Sequence, residues 1–203
     1  MGQIFAALGS RVTILEAAPR ILASVDTVLA ERLSAKLHAE GITVATDVQV
    51  DAIEGGEGRY RVRYRRAAET AQVDAEVVAM VVGRHPSVDG LGLENTAVRH
   101  DRHGVQVGAE METGEPGIFA TGDLVGQPMF AHWATAQALA VARHLLGQTA
   151  GSPRPETNSA VIFSRPELGI AGLTEEAARA AALAVACGVA LRTLAEAIHR
   201  IRC

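Results

Sequence analysis

Two short apolar runs separated by a helical pattern constrain the fold of this chain more than any other feature. Residues 12–15, VTIL, form a continuous apolar run bounded by Glu16 and then Pro19. That pattern suits an internal strand of a parallel sheet, covered on both faces, better than a half-exposed hairpin strand. Downstream, Asp26 can cap a helix running through Val28, Leu29, Leu33 and Leu37, whose mainly four-residue spacing makes one apolar stripe, and Gly41 is placed to stop it. Residues 42–45 are the second run. The two runs and the helix predict one strand–helix–strand unit, with a connection long enough for parallel pairing. Residues 1–8 read as the last two turns of a helix packed on that sheet, so the chain is expected to begin inside a domain.

The next segment changes character. Residues 48–53, the turn-rich GGEG of 55–58 and residues 60–64 predict a hairpin, with residues 72–82 as another strand. In RYRVRYRR, residues 59–66, period-two alternation puts Tyr60, Val62 and Tyr64 on one face and Arg59, Arg61, Arg63 and Arg65 on the other. A wet arginine face on an antiparallel layer is the favoured reading, with an interdomain or subunit contact as the alternative. A nucleic-acid surface is disfavoured, because aromatic and basic residues facing opposite ways cannot stack bases and neutralise phosphates together.

Bulk properties agree. With 203 residues, 48% of them hydrophobic, and a formal charge of -4, the chain can bury a substantial core in one domain plus a smaller piece. Mild acidity gives no general reason to bind nucleic acid or an anionic membrane. The apolar run at 77–82 falls far short of the roughly 20 residues needed to span a bilayer. No basic segment precedes an apolar one at the N-terminus as in a signal peptide. A cytoplasmic location follows by default. Cys187 and Cys203 are too few for a disulfide scaffold or a cysteine-based zinc cluster, so no metal is expected.

Further along, Gly83-Arg84-His85-Pro86 ends the long strand, a short strand is possible at 105–107, and residues 117–120 predict a buried strand. After Asp123 a loop with Gly126 and Pro128 precedes a helix over about 132–146, marked by Ala134, Ala138, Ala142 and Leu145. Residues 147–156, rich in glycine, proline, serine and threonine, are the candidate domain boundary. Residues 160–163 read as a strand, and Thr174 can cap another helix with Glu175 and Glu176 in its first turn.

Two places could carry function. Glu16 stands at the carboxyl end of the first strand, where an acidic residue of a doubly wound dinucleotide fold accepts hydrogen bonds from adenosine ribose hydroxyls and disfavours an extra phosphate. A solvated strand end is the plainer alternative. In Thr121-Gly122-Asp123, a small-residue turn lets a ligand approach, a carboxylate can hold ribityl or ribose hydroxyls, and the helix start that follows offers unpaired N–H groups. An ordinary tight turn capped by aspartate is the alternative there.

TGEPGIFATGD, residues 113–123, resembles the second flavin-contacting motif of the FAD-dependent pyridine nucleotide-disulfide oxidoreductases, the family of dihydrolipoamide dehydrogenase, glutathione reductase and mercuric reductase. LGSRVTILEAAPRIL, 8–22, resembles that family's nicotinamide-domain segment after its glycine-rich turn, and VVGRHPSVDGLGLE, 81–94, its return strand into the flavin domain. PMFAHWATAQALAVA, 128–142, resembles its flavin-side helix, and FSRPELGIAGLTEEAA, 163–178, the start of its dimerisation domain. The resemblance implies a partial doubly wound α/β FAD/NAD(P)-binding fold with an antiparallel hairpin layer and the beginning of an α+β dimerisation domain. It implies a partial NAD-binding domain over 1–82, the C-terminal part of an FAD-binding domain over 83–147, a linker over 148–156 and a dimerisation segment over 157–203.

By position, Glu16 would bind the adenosine ribose of NAD, with Gly83 and Arg84 near the nicotinamide-side pocket and its connection to the flavin domain. Asp123 would contact the ribityl chain of FAD, with Ala131 and His132 near the flavin. At an apolar helix start, His132 is read as a packing, capping or cofactor-contact residue rather than a catalytic base. The implied activity is an FAD-dependent, NAD-linked disulfide oxidoreductase, or a fragment of one, passing hydride between nicotinamide and FAD. The implied partners are a second copy or a complementing chain, and a small-molecule disulfide, dithiol or other electron acceptor. Departures are plain: the sequence holds no GxGxxG and no CxxxxC, so no catalytic residue is assigned. Residues 193–200, TLAEAIHR, faintly resemble the family's terminal helix, with Glu196 as the match to its glutamate. Two alternatives stand beside the main reading: a non-enzymatic remnant or assembly module, and a flavin-dependent NADH oxidase without a disulfide relay.

Overall fold

A computed structural model describes residues 1–148, 153–183, 185–191 and 197–202. The chain divides into two compact units, Met1–Met80 with Val161–Cys203, and Val81–Ala160.

The first unit opens with α1 (Gly2–Ala7), followed by β1 (Thr13–Leu15), α2 (Thr27–Ala39) and β2 (Thr43–Ala45). β1 and β2 pair in parallel, Thr13 opposite Thr43 and Leu15 opposite Ala45, as the two apolar runs predict. α2 buries Leu29, Leu33 and Leu37, the i, i+4, i+8 stripe read from the sequence, together with Ala30, while Val28 is exposed. The three leucines pack with Ile21, Val25 and Ile42 into the core of the unit. Each fully buried leucine contributes about 1.5–3 kcal/mol, which holds a thirteen-residue helix of modest intrinsic stability. Asp26 sits at the N-cap position, yet its side chain makes no capping hydrogen bond. Its Oδ1 instead accepts from the backbone N–H of Glu175 at 2.8 Å, one of the first-turn donors of a later helix that has no intrahelical acceptor.

β3 (Val48–Gly56), β4 (Arg59–Arg66) and β5 (Glu69–Ala75) form an antiparallel sheet in the order β3-β4-β5. Glu57 and Gly58, at φ 51° and 77°, close the first hairpin as a two-residue turn whose backbone twist matches the strands. The arginine face is as predicted, and it is also paired. Arg61 bonds Asp74 at 2.8 Å, Arg65 bonds Asp51 at 2.8 Å, and Arg63 bonds Glu54. Alternation alone would put residues 51 and 54 on opposite faces. The ladder shifts register between Val50 and Ala52, leaving Asp51 as the extra residue of a bulge, and so both acids reach the arginines.

The predicted strand over 72–82 is corrected by this sheet. β5 stops at Ala75, which pairs with Tyr60 one residue from the start of β4. No residue of β4 remains opposite 77–82, and Val77, Met80, Val81 and Val82 are exposed. Apolarity favours a strand there, but a strand needs a partner for its N–H and C=O groups.

In the second unit, β6 (His100–Asp101) pairs antiparallel with β7 (Gly104–Val105). β7 thus begins one residue before, and ends two residues before, the 105–107 strand expected. Residues 117–120 are not a strand: one isolated bridge joins Phe119 to Glu112, and Ala120 N–H donates to the Met111 carbonyl at 3.1 Å. Val98, Val105 and Ala120 form the buried centre of this unit. α3 (Ala131–Leu145) confirms the predicted helix but turns a different face inward. Trp133, Gln137 and Ala140 are buried, whereas Ala138, Ala142 and Leu145 are exposed. Alanines offer little area, so the large indole at Trp133 sets the rotation of the helix.

The chain then supplies β8 (Ser159–Ile162) and β9 (Leu168–Ala171), which form a two-stranded sheet, and α4 (Glu175–Ala180). Leu168 is buried in the core of the first unit. Thr174 caps α4 as predicted, its Oγ1 accepting from the Ala177 N–H at 3.1 Å. Finally β10 (Ala186–Leu191) and β11 (Ala197–Arg202) pair antiparallel. The resemblance of 193–200 to a terminal helix is therefore corrected over 197–200. A short segment gains more from a complete strand ladder than from an isolated helical turn. Glu196 and Cys203 lie outside the described residues, as do residues 149–152 of the expected linker. Among the described residues, no helix is long and apolar enough to cross a membrane.

Candidate functional site

The second unit holds five of the sequence-designated residues, Gly83, Arg84, Asp123, Ala131 and His132, around a turn and a helix start. Thr121 is extended, and Gly122–Val125 then form a single 3-10 turn. Gly122 is buried at φ 76°, and a Cβ placed there would lie 3.2 Å from the Ala134 Cβ on α3. Only glycine takes this left-handed backbone cheaply while pressed against a helix. The turn therefore brings backbone close to α3 and projects Asp123, whose side chain is 52% exposed.

Arg84 reaches this turn from the preceding loop. One guanidinium nitrogen lies 3.3 Å from the Asp123 Oδ2, and the other donates to the Met129 carbonyl just ahead of α3. Arg84 thus ties the carboxylate to the segment that leads into the helix. The Arg84–Asp123 pair is long and solvent-exposed, so it contributes little to stability and can yield to a ligand. Gly83, beside it, has φ 129° and nothing within 4 Å of a built Cβ, so its backbone faces open space.

Ala131 and His132 are the first two residues of α3 and are exposed. No side chain caps this helix start. The first N–H groups of a helix lack intrahelical acceptors and carry the positive end of its dipole. His132 is anchored sideways: its Nε2 lies 2.8 Å from the Asn158 Oδ1, and its ring stacks on Phe130 with centroids 5.4 Å apart. That geometry holds the imidazole between an aromatic ring and a side-chain amide.

The donor set here is complementary in kind, with an exposed carboxylate as acceptor, uncapped helix N–H groups as donors and a glycine that clears the approach. It fits a ligand bearing several hydroxyls together with an electron-rich or anionic edge. Among the described residues, no group of three or more His, Cys, Asp and Glu side chains could hold a metal ion.

Glu16 belongs to the other unit. It follows β1 directly, and its backbone joins the ladder region, with its N–H bonded to the Ala45 carbonyl at 2.9 Å. Its Oε1 accepts from the Ala18 N–H at 2.8 Å, which fixes the side chain at the strand end and leaves the second carboxylate oxygen for hydroxyl donors.

Sequence reasoning missed Gln137. It is the one buried polar side chain of α3, 5% exposed, and its Oε1 accepts from the Gly122 N–H at 2.7 Å. Its spacing, four after Trp133 and three before Ala140, becomes a signal only once the inward face of α3 is known.

Comparisons with known proteins show the family. Dihydrolipoyl dehydrogenase of Thermus scotoductus is 36% identical over 191 residues, 93% of this chain and 41% of that protein. The enzyme of the same name from Geobacillus stearothermophilus is 33% identical over 180 residues, 88% of this chain and 38% of that protein. The chain thus spans about two fifths of the length of these curated relatives. Among solved structures, the Cu(II) complex of the HOCl-induced flavoprotein disulfide reductase RclA from Escherichia coli superposes with a TM-score of 0.82 at 28% identity, covering 93% of this chain and 42% of that one. The likeness bears out the expected partial doubly wound FAD/NAD-binding fold with its hairpin layer. The sequence pattern described as pyridine nucleotide-disulphide oxidoreductase matches residues 1–138, and the chain belongs to that family.

Proposed function

We propose that this chain supplies part of the nicotinamide- and flavin-binding apparatus of an FAD-dependent, NAD-linked disulfide oxidoreductase of the dihydrolipoyl dehydrogenase type. The observation that carries this reading is the turn at Gly122, which sets the exposed Asp123 carboxylate beside Arg84 while Arg84 also holds the entrance to α3. When bound, FAD supplies the redox chemistry, passing a hydride equivalent between nicotinamide and the disulfide side of the reaction.

The chain's own residues bind and orient. Asp123 accepts hydrogen bonds from the ribityl hydroxyls, exchanging part of its contact with Arg84 for them. The uncapped start of α3, at Ala131 and His132, directs N–H donors toward an electron-rich or anionic edge of the flavin. Arg84 and Gly83 lie on the nicotinamide side, where no atom stands within 4 Å of a Cβ placed at Gly83. Glu16 accepts from the adenosine ribose hydroxyls of NAD, and its charge selects against NADP. On the same reading, 1–82 belongs to the nicotinamide domain, 83–147 to the flavin domain and 157–203 to a dimerisation segment. The natural partners are a second copy or a complementing chain, and a small disulfide or dithiol.

The test is a titration of the purified chain with FAD and NADH, following flavin absorbance and NADH oxidation across a panel of dithiols and disulfides. Bound, spectrally shifted flavin that bleaches with NADH supports the proposal. A folded chain that binds neither cofactor overturns it.

A further inference from the structure

The hydrogen bond between Gln137 and Gly122 has no counterpart in the function just proposed, and it lies behind the turn rather than on its ligand side. Gln137 is nearly fully buried, and its Oε1 accepts from a buried N–H at 2.7 Å. One turn earlier on the same helix, Ala134 would meet any Cβ at Gly122 at 3.2 Å. α3 thus touches the turn at 134 and 137, the i and i+3 positions of one face, through a steric stop and a hydrogen bond. The same helix carries the uncapped N–H groups at Ala131 and His132. A single rigid element therefore holds both halves of the candidate site.

We infer that Gln137 is a positioning residue, which fixes the Gly122–Asp123 turn at a set distance from the start of α3 so that carboxylate and helix N–H groups meet one ligand together. This inference rests on the flavin reading of the site. An acceptor is required at that place because a buried N–H left without a partner carries its full desolvation cost, and the turn would shift to find another. Binding groups must be held close to their productive geometry by buried supporting contacts, so a shift of the turn weakens the ligand even though Gln137 never touches it.

The experiment compares the chain with Gln137→Met, which keeps volume but lacks the acceptor. Gln137→Asn keeps the amide but falls one methylene short, and Gln137→Glu keeps an acceptor oxygen in either protonation state. Three readouts are taken: emission of the single tryptophan, Trp133, as a check of fold; amide exchange at Gly122 without cofactor; and the Kd for FAD from flavin fluorescence. Expected for both Met and Asn are Gly122 exchange faster by about tenfold and FAD binding weaker by about tenfold, with Glu within about threefold of the parent in each. If Met disturbs the fold, the Asn and Glu pair decides the question. Folded Met or Asn variants with parental FAD affinity overturn the inference, as does a Glu variant as weak as Met. A parent chain that binds no FAD, yet shows the Gly122 exchange response, refutes the flavin reading and leaves the hydrogen bond itself intact.

Discussion

Replacing Gly104 by alanine tests whether the turn carrying Asp123 is held by backbone contact rather than by side chains. Gly104 has φ 121°, and a Cβ there would stand 2.5 Å from the Leu124 carbonyl oxygen and 2.9 Å from the Gly126 nitrogen. Both atoms belong to the 3-10 turn or its end, so neither can swing away as a side chain can. The strained backbone costs about 1–3 kcal/mol, and forcing a carbon into packed backbone costs about as much again, giving roughly 4 kcal/mol in all. Gly117→Ala is the matched control: φ is 79°, but nothing lies within 4 Å of the built Cβ. It incurs only the left-handed cost, about 1–2 kcal/mol. Trp133, buried on α3 in the same unit, reports unfolding in urea. A slope near the low end for small proteins, about 1 kcal/mol per molar, places the Gly104→Ala midpoint about 2 M below that of Gly117→Ala. Midpoints within about 0.5 M of each other would refute the argument, because the clash would then contribute nothing.

Three further outcomes follow from the first unit. Leu33→Ala removes a buried side chain from the centre of the α2 stripe and should cost about 2–5 kcal/mol, measured as loss of helical circular dichroism at lower denaturant. Thr174→Ala removes the acceptor that caps α4 and should cost about 1 kcal/mol, with faster amide exchange at Ala177. Acid should loosen the β3-β4-β5 sheet. The Arg65 and Arg61 hydrogen bonds hold the Asp51 and Asp74 carboxyls below their ordinary range. Groups depressed in the folded state stabilise it above the unfolded pKa of about 4, and that contribution disappears as pH falls through the lower folded values. Strand amide exchange should therefore be flat from about pH 7 to 5 after correction for intrinsic rates, then show declining protection toward pH 3. Protection that rose on acidification would contradict the pairing.

Periodicity carried much of the fold. The four-residue stripe of α2, the parallel runs around it and the alternating arginine strand were legible because each follows directly from which face must avoid water. What escaped depended on partners far along the chain. Nothing in 77–82 signals that β4 begins at Arg59 and leaves those residues unpaired. The bulge at Asp51 was invisible because register is a property of two strands. The rotation of α3 was misread because four small or terminal positions suggested a stripe, while a single indole decided it. At the site, Asp123 and the helix start were legible as a polar residue on a small-residue turn ahead of a helical pattern, whereas Arg84 entered only through the family resemblance. Gln137 could not be distinguished from a surface glutamine until the inward face of α3 was known.

The central claim is that the turn ending at Asp123 is a flavin-binding element. The most direct measurement is a fluorescence titration of FAD into the parent chain and into Asp123→Ala, with Trp133 emission confirming that both are folded. Saturable binding by the parent, weakened by about tenfold or more in Asp123→Ala as a charge-assisted hydrogen bond is lost, is the predicted result. Equal affinity in the two folded chains, or no binding by the parent, would contradict it.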